Sequence, residues 1–217
     1  MKKTILILLS LILAFGVVDA ENKQLQKARE KAHKEKMKQY KKDKWTIFGS
    51  TKTLELALLE HYDKLNTAGD NANEILGVAS RFKSKNVGHQ MAINNACNTY
   101  AQAAGGNIRG RIVSDMNGDG VDAEGEFDHF YAAYERLVEK EIRGELKESF
   151  SVIRCLNPEA PVKEREYELE SYFIVNESAA SKARIRAMEN ALKESEAAQR
   201  HAQKISEFVN EAFEVAQ

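Results

Sequence analysis

Proline and cysteine are close to absent, with two of each in 217 residues, and there is a single tryptophan. So little proline excludes a Pro-rich linker protein, and two cysteines cannot build a disulfide scaffold. No long hydrophobic run follows residue 20, which excludes a second membrane span. Neither sign of charge dominates: 32 Lys and Arg stand against 33 Asp and Glu, a net charge of −1. At that charge, 43 % hydrophobic residues exclude disorder throughout and supply one sizeable core.

What is present begins with an address. Lys2 and Lys3 precede an apolar run from Ile5 to Val18, and Val18-Asp19-Ala20 puts small residues at −3 and −1 before Glu21. This pattern predicts a signal peptide over residues 1–20, since the run is too short for a span of roughly 20 residues. No cysteine lies near residue 20 to carry a lipid. The expected location is the periplasm or the exterior of a bacterium.

Residues 21–44 form a basic arm. They hold ten Lys or Arg and four acids, a net +6, whereas residues 45–217 carry −8. Apolar residues are sparse there (Leu25, Ala28, Ala32, Met37, Tyr40), too few to bury a helix face, so an exposed helix is expected. It is either a solvated tether or an anion-seeking arm for a phosphate-bearing lipid, a polysaccharide or an acidic partner. Secretion and the scarcity of stacking residues, only Tyr40 and Trp45, argue against nucleic acid.

Residues 45–217 read as a single α+β domain, a small antiparallel sheet packed by helices. Trp45–Gly49 is a short β-like run, and Ser50 or Thr51 can cap a helix reaching about Asn66. Glu74–Phe82, Phe150–Leu156 and Arg165–Val175 read as strands, the last two as an antiparallel pair around the loop that holds both prolines. An alanine-rich helix starts near Asn86, with Gly105-Gly106 as a weak point, and its small residues imply a close neighbour. Phe127, Phe130, Tyr131, Tyr134, Val138, Ile142 and Leu146 predict a core-facing helix over 125–148. From about 178 to 216 there is no Gly and no Pro, which predicts one long C-terminal helix of roughly 58 Å. Part of it would project or pack on an envelope partner or a second copy.

Several of these segments together resemble a family of small bacterial envelope proteins, many of them lipoproteins. They are Asn94-Asn-Ala-Cys-Asn-Thr-Tyr-Ala101 with Ile108-Arg-Gly-Arg-Ile112, Glu141-Ile-Arg-Gly-Glu-Leu146, and the strands 149–156 and 167–175 leading into an Ala/Arg helix. The N-terminal domain of the flagellar assembly protein T is similar, as are secreted proteins of gut-type Gram-negative bacteria over about 45–213. The resemblance implies a helix packed on an antiparallel sheet, a role in envelope assembly or scaffolding, and no known chemistry. The lipid-attachment cysteine of many such proteins is lacking.

Residues 115–126 fit the spacing D-x-[DN]-x-[DN]-G-x5-E. Asp115, Asn117 and Asp119 would supply oxygens, Val121 a carbonyl and Glu126 a bidentate carboxylate for calcium. Asp122 stands where an aliphatic residue is usual, and no second loop is present to pair with this one. The alternative is an acidic, Gly-rich surface loop.

Cys97 and Cys155 raise a second pair of alternatives. An oxidising compartment invites a disulfide. A bridge needs Cα atoms within about 7 Å, while a helix axis sits roughly 10 Å above a sheet. Two separate buried thiols are therefore the favoured arrangement, with Cys155 on the inward face beside Ile153.

No catalytic constellation is legible. His33, His61, His89, His129 and His201 lie in separate elements without a zinc spacing, and His61 and His201 read as helix-surface residues. No nucleophile elbow, P-loop or dinucleotide fingerprint occurs, and no cofactor is expected besides calcium. The sequence thus predicts a non-enzymatic secreted or periplasmic envelope protein acting by scaffolding or protein–protein contact, with a calcium-binding module at 115–126 as the alternative.

Overall fold

The computed structural model describes residues 27–28, 30–116, 125 and 127–211. The expected signal peptide lies outside them. So do Asn117, Asp119, Val121 and Glu126 of the calcium loop, and Asp115 falls in the last turn of a helix with its side chain undescribed.

The fold is α+β. Among the described residues, seven helices accompany one four-stranded antiparallel sheet. The arm contributes α1 (30–42). Then come β1 (Thr46–Phe48), α2 (Leu54–Ala68), β2 (Ala72–Phe82), α3 (Lys85–Met116), α4 (Asp128–Ile142), β3 (Lys147–Cys155), β4 (Tyr167–Asn176), α5 (Glu177–Leu192), α6 (Glu196–Arg200) and α7 (Ala202–Glu211). The spatial order β1-β3-β4-β2 makes β4 central, with the expected β3–β4 pair at the middle of the sheet. Asn157 closes the loop between them: its Oδ1 accepts from the Glu166 amide at 2.7 Å and its Nδ2 donates to the Glu164 carbonyl at 3.2 Å.

Both faces of the sheet are covered, because alternate residues of each strand are apolar on both sides. Phe150, Val152, Tyr172, Leu76 and Ile47 point to one face, under α1 and α2. Ile75, Ala79, Ile153, Leu169, Phe173 and Val175 point to the other, where Ala92, Ala96 and Cys97 of α3 lie. The resemblance implied one helix on the sheet; helices lie on both sides. A Cβ added at Gly77 of β2 would fall on the Ala92 carbonyl, so glycine is what lets the alanine face of α3 sit directly on the strand. Asn95 of α3 donates to the Val78 carbonyl at 2.7 Å, capping a backbone group on the edge strand.

Thr53, rather than Ser50 or Thr51, caps α2, since its side chain accepts from the Leu56 amide immediately before the first apolar residue. Helix α3 does not stop at Gly105-Gly106. Ala101, Ala104, Ile108 and Ile112 continue one buried stripe past them, and Gly105 faces the Glu135 side chain of α4. At 32 residues this is the longest helix among the described residues.

The expected single helix from 178 is instead α5, α6 and α7. Ser195 is the physical cause: it is buried, and its Oγ accepts from the Ala198 amide, starting a new helix where the old one would have continued. Ile205, Phe208 and Val209 of α7 then fold back onto the cluster holding Ala187, Met188 and Ala191 of α5 and the aromatic face of α4. The apolar stripe expected to meet another chain is covered within this one.

Cys97 is buried on α3, Cys155 is partly exposed at the end of β3, and both are free thiols. Cys155 shares the Ile153 face, as expected, but at the last rung of the β3–β4 ladder, beside Asn157. Burial pushes the Cys97 thiol above its ordinary value.

Candidate anion-binding surface

Helix α1 has two faces of opposite character. Lys27, Lys31, Lys34, Lys38 and Lys41 recur at intervals of four and three, and all are exposed. That period lines the last four along one side of α1 for about 15 Å. The acids nearby hardly offset them: Glu35 sits on the solvent side and pairs loosely with Lys31 at 3.9 Å. Lys42 and Lys44 are exposed at the C-terminal end of the same ridge.

The opposite side is docked. Met37 and Tyr40 are buried against Phe150, Val152 and Tyr172 of the sheet and Ala57 and Leu58 of α2. The arm was expected to be solvated for want of apolar residues. Two suffice, because Tyr40 also carries a hydroxyl into a polar triad. It donates to the Tyr172 hydroxyl at 2.7 Å, Tyr172 donates to the Glu170 carboxylate at 2.9 Å, and Tyr40 itself lies 2.7 Å from Glu170. Burial first, and then the neighbouring hydroxyl and carboxylate, drive the Tyr40 phenol far above its ordinary value; burial chiefly does the same to Tyr172. Lys36 closes the group. Its ammonium lies 3.6 Å from Glu170 and over the rings of Tyr40 and Tyr172 at 5.0 and 5.6 Å.

The end of α1 is equally specific. Lys44 takes φ +57°, the Trp45 amide donates to the Tyr40 carbonyl at 2.9 Å and the Lys44 amide to the Lys41 carbonyl at 3.4 Å. This is a Schellman motif, and its usual apolar contact is the packing of Trp45 on Tyr40, with ring centroids 5.7 Å apart. Arg154 lies over the Trp45 ring at 4.8 Å and pairs with Glu168. The ridge is therefore held rigidly on the domain at its C-terminal half.

The remaining titratable groups serve packing. His61, expected at a helix surface, is buried among the rings of Tyr62, Phe150 and Tyr172, with Nε2 2.5 Å from Glu74. His201 is half-buried against Phe127. Arg184 is buried on α5, paired with Glu177 at 2.5 Å and donating to the Tyr100 hydroxyl of α3, which locks those helices together. No group of three or more potential metal ligands occurs among the described residues. No helix among them is long and apolar enough to cross a membrane.

Of the sites expected from sequence, the arm is brought to a defined surface, the two cysteines are kept apart, and the calcium loop is outside the described residues apart from the Asp115 backbone. Tyr40, Tyr172, Glu170 and Lys36 were missed. The available signal was the spacing of His33, Met37 and Tyr40 opposite the lysines. No family model, no curated protein and no solved structure matches the chain.

Proposed function

We propose that this is a non-enzymatic secreted or periplasmic envelope protein that attaches to an anionic bilayer surface through the α1 lysine ridge, leaving the α+β body to make protein–protein contacts. The observation that carries this reading is the opposition of faces on α1. One side holds four exposed lysines in register, Lys31, Lys34, Lys38 and Lys41, and the other is anchored to the sheet by Met37 and Tyr40. A solvated tether gains nothing from such an anchor, whereas a docking surface needs its charges fixed relative to the body. Near an anionic bilayer each lysine contributes roughly 1 kcal/mol, so four together are enough for reversible attachment at low salt. Support also comes from the leader pattern at residues 1–20 and from the resemblance to envelope proteins in segment order.

Sedimentation with vesicles tests the reading. The full mature chain is expected to co-sediment with vesicles containing anionic phospholipid and not with purely zwitterionic ones, and salt should release it as the Debye length shrinks from about 10 Å at 0.1 M to 3 Å at 1 M. Equal binding to both vesicle types would refute it.

A further inference from the structure

A second site lies on the same face of the sheet, beyond the Phe150–Tyr172 core. A cavity of about 300 Å³ opens where α2 ends, lined by Lys64 and Ala68 of α2, Ala72 of β2, Lys147, Glu148 and Ser149 of β3, and Ile174 and Asn176 of β4. None of these residues belongs to α1, so the site is separate from the lysine ridge.

Its local structure is unusual. The β3–β4 register slips between Glu148 and Phe150, which leaves Ser149 as an extra residue in the strand. Bulges re-aim side chains and are common beside functional sites. Ser149 lines the cavity, and its hydroxyl is buried just beneath that lining with no hydrogen-bond partner among the described residues. A buried hydroxyl without a partner is costly and calls for one. The neighbouring acid is occupied elsewhere: the Glu148 carboxylate lies 2.9 Å from His89 and accepts from Ser151, on the other side of the sheet. That turns its carboxylate away from the cavity, whose lining carries two lysines against one acid, a net positive charge. Lys64 and Lys147 are exposed and form no ion pair among the described residues. The interior is lined by Ala68, Ala72 and Ile174, which offers a small ligand an apolar resting place.

The geometry points to a binding site for a small amphiphilic carboxylate, its carboxylate held by Lys64, Lys147 and the Ser149 hydroxyl and its short hydrocarbon body on Ala68, Ala72 and Ile174. The volume is at the lower end for small-molecule sites, which favours an acyl chain of medium length or shorter over a full-length lipid tail. Charge supplies selectivity for an anion, and the apolar lining supplies selectivity against a bare inorganic one.

Titration calorimetry of the full mature chain with octanoate, octanamide and inorganic phosphate tests this. Octanoate should bind with one site per chain, at least about tenfold more tightly than either control, since a charged hydrogen-bonded group and a buried chain are each worth about a factor of ten or more. The double variant Lys64→Gln, Lys147→Gln should lose at least about tenfold in octanoate affinity. Ser149→Ala separates a ligand-binding role from a structural one. It removes an unpartnered hydroxyl, so the ligand-free protein should unfold at the same or higher denaturant concentration while octanoate binds about five- to tenfold more weakly. Octanamide or phosphate binding as tightly as octanoate, or unchanged octanoate affinity in the double variant, would overturn the assignment.

Discussion

The Tyr40 hydroxyl donates to the Tyr172 hydroxyl at 2.7 Å, joining residues 132 positions apart and fixing the basic arm to the central strand. Tyr40→Phe should cost about 1–2 kcal/mol of stability, because Tyr172 and Glu170 lose a buried partner. Both phenols have folded values raised above the ordinary 10.0, burial being the largest cause. The sign follows: their stabilisation is complete below about pH 10 and is lost as the pH rises beyond it, since the unfolded chain releases those protons first. Denaturant titrations at pH 8 and pH 11 should therefore show a steeper alkaline loss in the parent than in Tyr40→Phe. Equal losses in the two would contradict the buried triad.

Lys44 sits at positive φ in the position where glycine is favoured. Lys44→Gly should raise stability by about 0.5–1 kcal/mol, the relief of a left-handed side chain outweighing the added freedom of the unfolded chain. A lower unfolding midpoint would show that the lysine side chain makes up for its backbone strain.

Two glycines, one buried under α3 and one exposed on it, should respond with opposite sign. At Gly77 a Cβ collides with the Ala92 backbone, so Gly77→Ala should lift α3 from the sheet at a cost of about 1–3 kcal/mol. At Gly106 nothing lies within 4 Å, so Gly106→Ala should stabilise the helix interior by about 0.5–1 kcal/mol. Chemical denaturation of both variants checks the pair: a raised midpoint for Gly77→Ala would contradict the close approach there, and a lowered midpoint for Gly106→Ala would contradict the open space at that position.

The thiols should differ in reactivity. Cys155 is partly exposed, while Cys97 is buried with its thiolate disfavoured by that burial. A thiol reagent at pH 8 should label Cys155 first and Cys97 only on unfolding, with two thiols counted in denaturant without reductant. Finding none in a monomeric chain would contradict the two free thiols.

The strands were legible because β-rich, apolar runs bounded by turn residues produced them. β2 begins two residues before the expected Glu74, and the β3–β4 pair falls where Asn157 and the prolines separate two such runs. The alanine face of α3 announced a close neighbour, and Gly77 is that neighbour. The break after Leu192 was hidden. No Gly or Pro marks it, and Ser195 acts through a cap that only the burial of α7 makes worthwhile. The docked arm was hidden for a related reason: its anchor is one tyrosine whose partners lie 130 and 132 residues away. The Ser149 cavity depends on a register slip between strands, a property of pairing that a single strand's sequence does not carry.

The central claim is that position, and not merely charge, makes the α1 ridge a docking surface. It is tested by comparing two variants of equal net charge for binding to anionic vesicles. One replaces Lys31, Lys34, Lys38 and Lys41 with Gln; the other replaces the exposed Lys83, Lys140, Lys163 and Lys182. The ridge variant should lose roughly two to three orders of magnitude in vesicle affinity at about 0.1 M salt, and the body variant should stay within about threefold of the parent. Equal losses in the two variants, or no loss in the ridge variant, would contradict the account.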